Sequence, residues 1–101
     1  MKAPKPTALQ ELNQRLPATV VFSSAEDGGF WVEAPSFPGC FASGDTLNEA
    51  SRNFKLAIFD YFDVPQESQD EKFLIYQEPD LTDSKEVAEN PREVSLIPAT
   101  L

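Results

Sequence analysis

The sequence contains no histidine, one cysteine and only four glycines in its 101 residues. Without histidine there is no Ser-His or Cys-His nucleophile pair, and with a single cysteine none of the usual zinc ligand sets. Cys40 has no second cysteine for an internal disulfide, and beside the Pro38-Gly39 turn it reads as a small, half-buried residue. No glycine-rich phosphate loop is present, because Gly28-Gly29 falls in a hairpin with no following helix to offer its amides. Nowhere do 18 apolar residues run together, and no apolar stretch of signal-peptide length follows the opening MKAPKP. The chain is therefore expected in the cytoplasm, with no membrane segment and no cofactor.

Basic residues are also scarce. Eight Lys and Arg face 17 Asp and Glu, a formal charge of −9, and the imbalance is local. The first 59 residues are nearly neutral, with six acids against five bases, whereas residues 60 to 93 hold the other 11 acids against Lys72, Lys85 and Arg92. A stretch of −8 repels phosphates, so direct DNA binding is not expected and the natural partner is a basic protein.

What is present is enough for one folded domain. The chain is 41% hydrophobic and includes eight phenylalanines, above a disordered composition, while its length is too short for two independent cores. Leu9, Leu12 and Leu16 have the spacing of a short amphipathic helix over residues 7 to 16. The β-branched and aromatic run of Ala18 to Ser24 predicts a strand, and Phe30 to Pro35 a second one returning from a tight turn at Asp27-Gly28. A turn centred between those two residues puts Val21 on one face with Phe30, Val32 and Ala34, and leaves Val20, Phe22, Trp31 and Glu33 on the other. Cys40 to Ser43 would add a third short strand. Two further candidates, Phe73 to Tyr76 and Val94 to Ile97, flank an extended or turn-rich stretch from Pro79 to Pro91.

The main helix is the best-marked element. Thr46-Leu47-Asn48-Glu49 fits a capping box, and Leu47, Ala50, Phe54, Ala57, Ile58, Tyr61 and Phe62 form one stripe at helical period before Asp63-Val64-Pro65 ends it. The expected core joins Val21, Phe30 and Val32 to Leu47, Ala50, Phe54, Ile58 and Tyr61. Leu56 and Phe59 fall outside the stripe, and Trp31 lies on the second sheet face. These three are the candidate interface residues, with the alternative that the helix at residues 7 to 16 or the C-terminal strands fold back over them.

A small hairpin with one helix can be a fragment of a ribonuclease H-like fold, whose nucleases hold two metal ions between acids on the sheet. Ala18 to Ser24 supplies no acid, Glu33 alone cannot hold a metal, and Glu26 and Asp27 read as turn residues, so no metal site and no catalytic set is expected.

Gly29-Phe30-Trp31-Val32-Glu33-Ala34-Pro35, then Phe37-Pro38-Gly39-Cys40, then Gly44-Asp45-Thr46 and Glu49-Ala50 form an ordered series that resembles the HicB family of antitoxins. The resemblance covers about Thr19 to Phe62 and marks Gly29, Pro35, Pro38, Gly39, Gly44, Thr46, Glu49 and Ala50 as structural motif positions. It implies an α+β fold of partial ribonuclease H-like type without nuclease activity. That fold would have a small antiparallel sheet of about three to four strands, one main helix and, here, a short N-terminal helix. The implied organisation is an extension over residues 1–17, a HicB-like core over 18–64 and an acidic C-terminal extension over 65–101 with one or two short strands. The resemblance further implies homo-oligomers, dimers or tetramers, and neutralisation of a small basic HicA-type toxin that cleaves messenger RNA. The alternative is a solitary self-associating structural or regulatory module with no toxin. The DNA-binding segment common in the family is not seen in residues 63 to 101, which are acidic and proline-punctuated.

Overall fold

In a computed structural model, residues 8–77, 87 and 89–99 are described, the side chain of Leu9 excepted. Two helices, α1 (Ala8–Gln14) and α2 (Leu47–Tyr61), accompany five strands: β1 (Ala18–Ser24), β2 (Phe30–Glu33), β3 (Phe41–Gly44), β4 (Leu74–Gln77) and β5 (Arg92–Pro98). All pairs are antiparallel and the sheet order is β3-β2-β1-β5-β4, five strands against the three to four that the resemblance implied. β5 pairs directly with β1, so the acidic C-terminal part completes this chain's own sheet. Most of the stretch expected to be extended, 79 to 91, lies outside the described residues.

The first hairpin corrects the expected register. Ser24 pairs with Phe30 and Phe22 with Val32, around a loop of five residues in which the Ala25 amide donates to Gly29 O at 2.8 Å and the Gly28 amide to Ala25 O at 3.1 Å. Gly28 has a positive φ (+97°), but Asp27 does not, so the two-residue turn is not formed. The turn is thereby centred on Asp27 itself, one half-step from the expected point, and a strand's period of two turns that shift into an exchange of faces for the whole of β1. Val20 and Phe22 go inward with Val32 and Ala34, all buried, while Val21 goes outward and is only half-buried.

α2 packs on the inner face, chiefly over β3 and β2. Leu47, Ala50, Phe54 and Ile58 are buried as expected, but Tyr61 is 43% exposed and Phe30 half-buried. Thr46 caps the helix, its Oγ1 accepting from the amide of Glu49 at 3.0 Å. At the other end the Val64 amide donates to Phe59 O and the Asp63 amide to Asp60 O, a Schellman closure with Asp63 in the left-handed region (φ +57°). Leu12 of α1, Val94 and Leu96 of β5, and Val87 complete the inner layer, each buried.

The loop between β2 and β3 makes two successive turns, with the amide of Phe37 on Ala34 O and that of Cys40 on Phe37 O. Gly39 supplies the positive φ (+87°) the second one needs. The loop drives Phe37 inward, where its ring lies edge-on to Phe62 at 5.2 Å and near Tyr61. The guanidinium of Arg15, following α1, sits 5.4 Å from the Phe37 ring centre.

Candidate protein-binding surface

With helices on one side only, the outer face of the sheet is uncovered among the described residues. Its outward positions are fixed by the register. Phe41 of β3, Glu33 of β2, Val21 of β1 and Glu93 of β5 form one cross-strand row, which sets a half-buried Val21 between two exposed carboxylates. Trp31 stacks on Phe41 with ring centres 4.6 Å apart and planes 19° from parallel, and Phe41 remains 53% exposed. Farther across, Ile75 of β4 pairs with Ile97 of β5, and Ile75 is 45% exposed. No Lys or Arg occupies an outward position of the five strands.

Beside Trp31, at the hairpin end, the face runs into an open cleft of about 720 Å³. Glu26, Asp27, Asp45 and Glu49 line it together with Trp31 and Ser43, again without a base. Among the described residues no group of Cys, Asp or Glu is arranged to hold a metal ion. Cys40 is buried, and burial pushes its thiol up to about 11, so it carries no thiolate near neutral pH.

The back of α2 differs from expectation. Leu56 is 42% exposed there, but Phe59 is fully buried and is not part of an accessible surface. Its ring belongs to the core cluster with Phe54, Ile58, Leu74 and Leu96. Residues 62–73 form a strap that returns along the helix through two short 3-10 turns, Gln66–Ser68 and Glu71–Phe73. It is fastened by Gln69 Nε2 to Asp60 at 2.9 Å, by Arg52 Nε to the Glu71 carboxylate at 2.8 Å and by Lys55 Nζ to Glu71 O at 3.3 Å. The candidates Trp31, Leu56 and Phe59 therefore do not converge. Phe41, the partner of Trp31, went unremarked in the sequence, and only the pairing of β2 with β3 brings it forward.

Five of the motif positions, Gly29, Gly44, Thr46, Glu49 and Ala50, converge at one corner. A Cβ on Gly29 would lie 2.7 Å from Gly44 O, and one on Gly44 would lie 2.5 Å from the amide nitrogen of Ala50. The hairpin turn, the end of β3 and the capped start of α2 thus stack backbone to backbone, beside Thr46 and Glu49. Pro35, Pro38 and Gly39 shape the loop that buries Phe37. These residues build a scaffold and bring no reactive groups together.

The sequence profile of the HicB-like antitoxins of bacterial toxin–antitoxin systems matches residues 17–91. The chain belongs to this family. The chain is also similar to small proteins named UPF0150. It is 45% identical over 40 residues to one from Synechocystis sp., covering 40% of this chain and 56% of that protein. It is 44% identical over 45 residues to one from Thermoplasma acidophilum, covering 45% and 65%. Against a UPF0150 protein of Archaeoglobus fulgidus identity is 34% over 55 residues, 54% of this chain and 80% of the relative. The chain thus spans between about half and two thirds of the first two relatives. No solved structure matches it. No described helix is long and apolar enough to cross a membrane.

Proposed function

We propose that this HicB-like antitoxin is a non-catalytic binding protein that neutralises a small basic toxin of HicA type, a ribonuclease of messenger RNA, by covering its active surface. The observation that carries the reading is the open sheet face, which presents a stacked aromatic pair among carboxylates and no base. An inhibitor of a basic ribonuclease needs apolar area for affinity and negative charge for steering and selection, and needs no chemistry of its own. Action is expected in the cytoplasm, where the toxin's substrate is. DNA contact would come through a partner, if at all, because the segment after α2 is acidic. Growth arrest by a HicA-type toxin from the same genome should be relieved by co-expression of the intact chain, and the two should co-purify. Arrest that persists, with no complex recovered, would overturn the reading.

A second surface favours self-association. β4 is an edge strand whose flank bears Phe73, 40% exposed, and Ile75, so a second copy would gain both ladder hydrogen bonds and apolar contact there. Light scattering should return a dimer or tetramer that Ile75→Lys reduces to a monomer, and a wild-type monomer would exclude it.

A further inference from the structure

We propose that Trp31, Phe41 and Glu33 form a socket for an arginine side chain of a basic protein partner, a deepening that rests on the reading of the outer face as the partner-binding surface. Stacking uses one face of each ring, and the exposure of Phe41 leaves its other face to the solvent. Glu33 stands directly opposite Phe41 across the β2–β3 ladder, and among the described residues no cation pairs with its carboxylate. An electron-rich ring face beside a free carboxylate suits a planar cation, which can lie on the ring while its N–H fork reaches the two oxygens. Lysine, a compact and strongly hydrated point charge, satisfies only half of that arrangement.

Charge decides the occupant. The outward positions carry Glu33 and Glu93, the adjoining cleft carries Glu26, Asp27, Asp45 and Glu49, and neither holds a base. A second copy laid face to face would bring these carboxylates together without a counterion, and an anionic partner would meet the same repulsion. A cationic segment neutralises the face, with one arginine anchored on the aromatic pair and its neighbours over the cleft.

Trp31 is the sole tryptophan, so its emission reports on this place alone. An acetylated, amidated hexaarginine peptide should change that emission saturably, with affinity falling as salt rises. Glu33→Gln and Phe41→Ala should each weaken binding about three- to tenfold, and hexalysine of equal charge should bind at least about threefold more weakly. Glu67→Gln, which removes a carboxylate on the strap, should leave the affinity unchanged. Because Phe41 and Glu33 are exposed, both variants should keep the wild-type unfolding midpoint, which is checked first. Unchanged affinity in both variants, or equal affinity for the two peptides, overturns the socket. So does a dimer by light scattering that Phe41→Ala dissociates while the peptide has no effect, since that would assign the face to a second copy. A toxin neutralised equally well by both variants, with peptide binding intact, sinks the socket and spares the antitoxin reading. A socket that behaves as expected in a chain that relieves no toxin sinks only the latter.

Discussion

Gly44, at the end of β3, lies against the backbone of Ala50 so closely that a Cβ would sit 2.5 Å from the Ala50 amide nitrogen. The same glycine's carbonyl oxygen faces Gly29 across the turn, where a Cβ would be 2.7 Å away. Neither obstacle is a flexible side chain, so the backbone itself must move to admit a methyl group. Gly44→Ala should therefore destabilise the domain by about 1–3 kcal/mol in denaturant unfolding. Gly39 provides the contrast: nothing lies within 4 Å of its Cβ position but its φ is +87°, so Gly39→Ala should cost about 1–2 kcal/mol, through backbone strain alone. Equal stability of Gly44→Ala and wild type would mean that this corner is looser than described.

At the C-terminus of α2, Asp63 takes the left-handed conformation that glycine supplies most easily, while its amide and that of Val64 close the helix. Asp63→Gly removes the Cβ penalty and keeps both bonds. A gain of about 0.5–1 kcal/mol in stability is expected, net of the added freedom of the unfolded chain. A loss would show that the carboxylate has a stabilising role of its own.

Phe22 directly faces Val32 on the inner side of the β1–β2 ladder, while Val21 faces Glu33 on the outer side. Phe22→Ala should cost about 3–5 kcal/mol, as for other fully buried phenylalanines, and Val21→Ala should cost much less. Reversal of that order would restore the two-residue turn and its register.

This hairpin also marks how far local sequence reaches. The strands, the capped helix and its stripe are written in short-range patterns: β-branched runs, Thr46 three residues before Glu49, and Leu47, Ala50, Phe54 and Ile58 at helical spacing. The face of β1 is set by loop closure, where five residues and two glycines admit more than one turn, and a shift of half a step exchanges the buried set. Gly28 signalled a turn without fixing its centre. The fate of Phe59 was equally out of reach, since its burial depends on tertiary packing in one core with residues as distant as Leu74 and Leu96. Of the candidate site, Trp31 was legible as an apolar residue on a face that one helix cannot cover. Its partner Phe41 was not, because the pair exists only after β2 and β3 align.

Leu56 and Phe59 lie three residues apart on α2, yet one is 42% exposed and the other fully buried. Phe59 lies beside Ile58 in the core cluster, whereas Leu56 lies outside it. Two substitutions separate the roles. Leu56→Glu places a charge where solvent already reaches, so the unfolding midpoint should move by no more than about 0.5 kcal/mol equivalent. Phe59→Glu puts a carboxylate into the core, which should destabilise the domain by about 3–5 kcal/mol in denaturant unfolding. Amide hydrogen exchange gives a second reading, since a core defect should lower the protection of the β1–β5 ladder along with that of α2. Should Phe59→Glu prove as mild as Leu56→Glu, Phe59 would not be part of the core and would return to the accessible surface that the sequence first suggested.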